Sequence, residues 1–419
     1  MVKLLIHGPN RLAGELNVHG AKNSTLPLMA AALLCRSECV LHNCPHLSDV
    51  DVSARILRHL GCAVTWQGGS LVIDPRCVTQ CDIPDGLMRE MRSSIVFLGA
   101  ILSRAGRAVL SFPGGCELGP RPIDLHLQAL RKMGAKIVED YGCLSCSTEG
   151  PLHGAAIGLS FPSVGATENI MLAGVMAEGT TVITNAAREP EICDLADFLN
   201  RCGAKVSGAG GSTLVIEGVK RLYGCEHRVI PDRIAAATFM SAAAATGGCI
   251  RLNQIVPAHL EPVLPSFEEL GCCIEMEESS LRISAPARLG RIKSVRTMPY
   301  PGFPTDAQAP LMAAACVGSG TSIFVENIFE SRYKHVGELL RLGANIKVEG
   351  RVAVVEGVPR LSGAPVEAAD LRGGAALVVA GLAARGATEV TGVRYMDRGY
   401  ENLERSLSLL GADIRREYE

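Results

Sequence analysis

The chain has 419 residues, 47% of them apolar and 20% charged, which is too long for one ordinary core and fits a soluble globular protein of two domains. The formal net charge of −2 gives no global pull toward nucleic acid or anionic lipid, so an anion site must be a local concentration of cations. The opening residues reach Gly8 and Pro9 before an apolar stretch of useful length forms, and LPLMAAALL is too short to span a bilayer; a cytoplasmic protein is expected.

In chain order, six copies of one unit follow each other. Their markers are HLGCAV, KMGAKI, RCGAKV, ELGCCI, RLGANI and LLGADI, with glycines at 61, 134, 203, 271, 343 and 411. Each marker glycine follows an amphipathic run and reads as a helix C-cap. Ahead of it stands a helix of small apolar residues, such as STLPLMAAALL, SIVFLGAIL, NIMLAGVMA, AAATFMSAAAA, PLMAAACV or AALVVAGLAA. A glycine and a short strand connect it to the amphipathic helix. A hairpin completes the unit. Alternating helices and strands make the class α/β.

The two ends are incomplete in opposite ways. The segment around Ile6-His7-Gly8 matches a returning hairpin strand at Ile216-Glu217-Gly218 and at Val355-Glu356-Gly357, yet nothing precedes it. The last unit starts a strand at Ile414 and the chain stops. Pairing these two strands repairs both defects. One domain of three units then covers residues 22–229. The other takes residues 1–21 plus 230–419, with a hinge and a cleft between the two.

Polar residues gather where the small-residue helices start: Lys22-Asn23, Arg92-Ser93, Ser163-Val164-Gly165, Asp232-Arg233, Thr305-Asp306 and Asp370-Leu371-Arg372. Ser163, Asp232, Thr305 and Asp370 read individually as N-caps. Lysine and arginine oppose the helix dipole there, and an anionic ligand accounts for them. The second unit also carries PGGCELGPRPIDLH, an extended loop with Cys116 and Arg121. A thiol near cations has a lowered pKa and is reactive; the other reading is a bystander thiol. Asp306 sits in YPGFPTDAQAP, and three prolines within six residues before the helix, Pro299, Pro301 and Pro304, fix the approach to it, a placed carboxylate suited to general base work. Arg332 and Arg398 stand at comparable places in units five and six, Arg398 starting a helix, and surface arginine is the alternative for each.

Sixteen cysteines without a secretory signal are expected as reduced thiols, mostly small buried hydrophobes. Cys143 and Cys146 form a lone CxxC with no second pair. Cys35, Cys39, His42, Cys44 and His46 make a weak metal pattern, and no metal is expected. No dinucleotide fingerprint or P-loop is present, so no cofactor is expected.

These residues resemble the UDP-N-acetylglucosamine 1-carboxyvinyltransferases nearly end to end. The motifs are GAKNSTLPLMAAALL, LSDVD, MRSSI, PGGCELGPRPIDLH, SVGAT, NAAREPEI, PDRI, FPTDAQA, ENIFESRY, DLRGGAALVVAG and DRGYENLE. The resemblance implies a two-domain inside-out α/β barrel, three repeats per domain, helices inside and sheets outside. It implies addition of the sugar 3′-hydroxyl to C2 of phosphoenolpyruvate, then loss of phosphate, opening peptidoglycan precursor synthesis. By resemblance, Lys22, Asn23, Arg121, Arg332, Arg372 and Arg398 hold phosphoenolpyruvate. Cys116 donates the proton to C3 and is the position alkylated by fosfomycin-type epoxides. Asp306 contacts the nucleophilic hydroxyl as base, and Asp370 lies near the reacting carbons. Arg92, Arg121, Pro122, Ile123, Asp124 and Leu125 hold the UDP-sugar. Phe161, Pro162, Ser163 and Val164 approach its diphosphate, Gly165 also holds the UDP-sugar, and Ile328 contacts the sugar side with Asp306. Ser48 and Phe161 stand where many relatives have lysine, which implies weaker affinity for the UDP-sugar. Another acceptor, or a silent UDP-sugar-binding paralogue, are the competing readings; oligomeric state is not legible.

Overall fold

In the computed structural model, which describes residues 2–112 and 123–418, each of the six marker glycines closes a helix. Gly61, Gly134, Gly203, Gly271, Gly343 and Gly411 have φ between 87° and 105°. A Cβ disfavours that left-handed region, so glycine lets the chain leave the helix and turn directly into a strand.

Six inner helices open the repeats: α1 (Lys22–Ala32), α2 (Phe97–Ala105), α3 (Val164–Gly174), α4 (Arg233–Ala245), α5 (Thr305–Ala315) and α6 (Leu371–Ala383). They are buried nearly all round; in α4 every residue from Arg233 to Ala244 is buried. A helix apolar on every side belongs inside a core, and alanine and glycine let such helices approach closely. α4, α5 and α6 pack on one another, as do α2 and α3 with α1. The second helix of each repeat is amphipathic instead. Ser48–Leu60 and Pro190–Arg201 bury one face and turn charges outward.

Six four-stranded sheets share one construction. Thr180–Thr184 pairs antiparallel with Thr213–Glu217, which pairs antiparallel with Lys205–Ser207. The short strand Ala156–Gly158 adds on in parallel. In the last sheet Val2–Gly8 lies between Gly386–Thr391 and Ile414–Tyr418, antiparallel to both. Leu4 and Ile6 point into the core, while Lys3 faces Glu389 at 3.2 Å.

The chain forms two compact units. One runs between Gly20 and Ile230, with α1 to α3 and three sheets. The other joins residues 2–19 to residues 231–418, with α4 to α6 and three sheets. Each unit has its own apolar core, helices inside and sheets outside: an inside-out α/β barrel. Among the described residues no helix is long and apolar enough to cross a membrane.

Local departures have physical reasons. Arg92 opens a single 3₁₀ turn, Arg92–Val96, before α2 begins at Phe97. Arg398 closes a 3₁₀ turn, Val393–Arg398, and does not start a helix. Gly399 follows at φ −146° and ψ −1°, neither helical nor extended, and the next helix begins only at Leu403. Cys143 and Cys146 lie on one strand, Cys143 exposed and Cys146 buried. Side chains three apart on a strand face opposite ways, so this pair does not chelate.

Candidate active site

In the unit holding α4 to α6, two buried arginines converge on one carboxylate. Asp306 is the second residue of α5. Arg332 donates from Nη2 to Asp306 Oδ1 at 2.9 Å and to the Thr305 carbonyl at 3.1 Å. Arg372 donates from Nε and Nη2 to Asp306 Oδ2 at 3.2 and 3.0 Å. Their side chains are only 3% and 2% exposed. Arg332 Nε and Arg372 Nη1 find no acceptor among the described residues. Burying a guanidinium N–H without an acceptor is costly, and an anion is the natural remedy. Arg372 also stacks over the Tyr400 ring at 5.2 Å, and the Tyr400 hydroxyl meets Thr238 at 2.9 Å.

The start of α5 is held by Glu326, a residue of the ENIFESRY motif to which sequence alone assigns no role. Glu326 is 1% exposed. Its Oε1 accepts from the Thr297 hydroxyl at 3.0 Å and from the backbone N–H of Ile328 at 2.7 Å and Phe329 at 2.9 Å. Its Oε2 accepts from the Thr305 hydroxyl at 2.9 Å. Thr305 therefore does not cap its helix: Pro304 holds the N-cap position and the hydroxyl serves Glu326. Of the other residues that read as caps, Ser163, Asp232 and Asp370 do accept from the first turn of α3, α4 and α6. Asp370 Oδ1 takes the N–H groups of Arg372 and Gly373, both at 3.0 Å. Buried His335, also missed, lies beside Asp370 and Arg332. Burial holds its imidazole toward the neutral form against the pull of Asp370. Arg398 is half-buried at the end of its 3₁₀ turn.

In the unit holding α1 to α3, Lys22 is the first residue of α1 and Asn23 the second. Lys22 Nζ lies 2.8 Å from Asp49 Oδ2, at the start of the helix Ser48–Leu60. Ser48 itself is exposed. A second group forms around His126. Asn169 donates one amide hydrogen to the Ile95 carbonyl and the other to His126 Nδ1, at 2.9 and 2.8 Å. Its Oδ1 accepts from Gly99 N at 2.7 Å. The imidazole proton therefore sits on Nε2. Burial pushes His126 down to about 4, with Asp124 opposing and Arg92 adding to the shift. A Cβ on Gly165 would come within 3.1 Å of that ring. Arg92, Asp124, His126 and the start of α3 thus share one neighbourhood. Ile123 is buried and Leu125 half-buried beside Asp124. Phe161 is exposed, with its carbonyl accepting from Ser163 N at 2.7 Å, and Pro162 and Val164 are half-buried. Cys116, Arg121 and Pro122 lie outside the described residues.

The family model described as EPSP synthase (3-phosphoshikimate 1-carboxyvinyltransferase) matches residues 6–407. UDP-N-acetylglucosamine 1-carboxyvinyltransferase 2 of Caldanaerobacter subterraneus subsp. tengcongensis is 51% identical, over 99% of this chain and 100% of the relative. UDP-N-acetylglucosamine 1-carboxyvinyltransferase 1 of Symbiobacterium thermophilum is 49% identical, over 99% and 95%. The crystal structure of the enolpyruvyl transferase NikO from Streptomyces tendae superposes with a TM-score of 0.90 at 26% identity, over 99% and 98% of the two chains. EPSP synthase from Acinetobacter baumannii shares the fold, with a TM-score of 0.75 at 19% identity over 99% and 100%. Matched at this identity along nearly its whole length, the chain belongs to the enolpyruvyl transferase family, in the group of the UDP-N-acetylglucosamine 1-carboxyvinyltransferases.

Proposed function

We propose that this protein transfers the enolpyruvyl group of phosphoenolpyruvate to the 3′-hydroxyl of UDP-N-acetylglucosamine, releasing phosphate. The observation that carries the reading is the pair of buried arginines, Arg332 and Arg372, sharing one carboxylate and retaining N–H groups that find no acceptor among the described residues. Phosphoenolpyruvate offers a phosphate and a carboxylate, both matched by guanidinium forks. The names of relatives at about half identity supply the acceptor.

In the proposed reaction the sugar oxygen bonds to C2 of phosphoenolpyruvate while C3 takes a proton, giving a tetrahedral phosphate ketal. The C2–O bond to phosphate then breaks, a proton leaves C3, and the enol ether remains. Asp306 is the proposed base. It is tied to both arginines in this structure. An arriving phosphate that takes those donors releases the carboxylate to meet the sugar hydroxyl. Lys22, Asn23, Arg121 and Arg398 are the further proposed ligands of phosphoenolpyruvate, and Cys116 the proposed proton donor. Asp370, anchored at the start of α6, is proposed to face the reacting carbons. Arg92, residues 121–125 and 161–165, and Ile328 are proposed to hold the UDP-sugar. A cytoplasmic place in peptidoglycan precursor synthesis follows from this reading.

The test is phosphate release from phosphoenolpyruvate with and without UDP-N-acetylglucosamine, beside a Cys116→Ser variant. Release that needs the sugar and falls in the variant supports both reaction and thiol. Sugar-dependent release that survives in the variant removes the role of Cys116. No release by the unmodified protein removes the reading.

A further inference from the structure

Three cysteines from distant parts of the sequence meet at one point in the unit holding α1 to α3, and a fourth lies beside one of them. Cys35 follows α1, and Cys39 opens the strand Cys39–His42. Cys202 ends the helix Pro190–Arg201, and Cys225 precedes the strand Glu226–Arg228. Cys35, Cys39 and Cys202 are buried, with their sulfurs all within 4.8 Å of one another. Cys225 Sγ is 3.5 Å from Cys202 Sγ. The chain has 16 cysteines, so a quarter of them share this spot.

Small apolar packing is the bland account of such thiols. The internal repeats provide the control for it. The Cys202 carbonyl accepts from Tyr223 N at 2.9 Å, as the Met133 carbonyl does from His153 N and the Leu342 carbonyl from Ser362 N, both at 2.9 Å. These positions are therefore equivalent. Each of the five other repeats places a fully buried leucine or methionine there. Leucine satisfies the architecture, and packing does not call for sulfur. Cys39 gives the same result. It pairs with Ile73, as Thr181 pairs with Ile216, Ser322 with Val355 and Thr388 with Ile6. Packing tolerates each cysteine singly without calling for it, and it does not explain their convergence in one repeat junction.

Four thiolates around zinc at ~2.3 Å put sulfurs roughly 3.8 Å apart. The Cys35, Cys39 and Cys202 sulfurs already lie near that spacing, and Cys225, beside Cys202 and outside the three-sulfur group, closes on the ion as it binds. An iron–sulfur cluster encloses several atoms and needs sulfurs set wider apart. Soft thiolates select zinc over harder cations. The pair Cys35 and Cys39 has the short spacing of a zinc knuckle. A zinc with four thiolates carries net negative charge, and Arg104 and Arg201 stand close to answer it. Arg104 donates to the Cys35 carbonyl at 3.1 Å, and the Arg201 charge acts on Cys225.

We propose that Cys35, Cys39, Cys202 and Cys225 form a closed tetrahedral zinc site that takes up Zn²⁺ with loss of four thiol protons. All four positions are filled by protein, so the role is structural: it ties the end of α1 to the end of Pro190–Arg201. The sequence reading expected no metal, because the second pair of ligands lies far along the chain and is not itself closely spaced.

The full-length protein is stripped with chelator under reducing conditions, then given Zn²⁺ or Co²⁺. One zinc per chain should survive gel filtration, four thiols should become protected from a thiol reagent, and Co²⁺ should show thiolate charge-transfer absorption. Zn²⁺ should raise the melting temperature. Cys202→Leu, which installs the residue most other repeats use, and Cys225→Ala should abolish all of these while retaining helical circular dichroism. The proposal is overturned if reduced protein takes up no zinc, if the Cys202→Leu protein still holds one, or if isolation yields a disulfide among these cysteines that takes up no zinc once reduced.

Discussion

Lys22 Nζ lies 2.8 Å from Asp49 Oδ2, and the two side chains are only 11% and 3% exposed. Lys22 opens α1, where the helix dipole disfavours an ammonium, so the Asp49 carboxylate offsets two costs at once. Asp49→Asn keeps the shape and removes that counter-charge. The expected loss of stability is about 3–5 kcal/mol. If Lys22 binds anions as proposed, saturating phosphoenolpyruvate restores more stability to the variant than to the unmodified protein. Thermal melts with and without ligand decide; equal ligand shifts in both proteins would sink the assignment of Lys22.

Glu326 touches no proposed reacting atom and still governs the site. Its two oxygens hold Thr305, one residue before Asp306, and the turn carrying Ile328. Glu326→Gln replaces an ionised acceptor by an amide that must present N–H groups to donors. Stability should fall by about 2–3 kcal/mol. Under the proposed function, kcat should drop with the displacement of Asp306, and the KM for UDP-N-acetylglucosamine should rise through Ile328. A stable variant with unchanged kinetics would show that Glu326 positions nothing.

The repeats were legible because their signals are local. A glycine after an amphipathic run, a helix without a polar face, and a strand lacking its hairpin partner need no knowledge of distant contacts. The pairing of Val2–Gly8 with Ile414–Tyr418 follows from such unfinished ends. Partners of charges were not legible. Sequence places Asp49 27 residues beyond Lys22, and nothing in it says that they face each other. Thr305 reads as an N-cap, yet Glu326 competes for its hydroxyl and prevails. Arg92 and Arg398 read in sequence as helix starts, whereas each belongs to a 3₁₀ turn, a tightening that no single residue of either segment announces. The cysteine convergence belongs to the same class, since no short spacing joins Cys35 to Cys202.

Glu168 offers a test of buried charge. It lies on α3, buried, with Glu191 and Glu189 nearby. Burial first, and those carboxylates second, raise its pKa well above the ordinary value of 4.5. The folded state therefore holds a proton that the unfolded state releases above that value. Stability from this group is full at low pH and declines from about pH 5 upward until the folded value is passed. Glu168→Gln mimics the protonated form and should be the more stable protein at pH 8. Melting temperatures across pH should show a flatter alkaline slope for the variant; parallel curves would mean that Glu168 is charged in the fold.

Phe161 puts an exposed aromatic ring, 42% accessible, just before the start of α3. The helix start already offers backbone N–H groups and partial positive charge, both suited to a phosphate. A lysine at this place adds a mobile cation to that field. If the diphosphate of UDP-N-acetylglucosamine approaches residues 161–165 as proposed, Phe161→Lys should lower its KM by about three- to tenfold at low salt, roughly 0.7–1.4 kcal/mol. The gain should shrink as salt is raised, because the new charge is exposed and screened. Neither kcat nor the KM for phosphoenolpyruvate should move appreciably, since the substitution adds affinity that is equal in ground and transition states. Ser48→Lys, at the other exposed position without its expected cation, should act in the same direction. A KM that stays constant at low salt in both variants would place the diphosphate elsewhere.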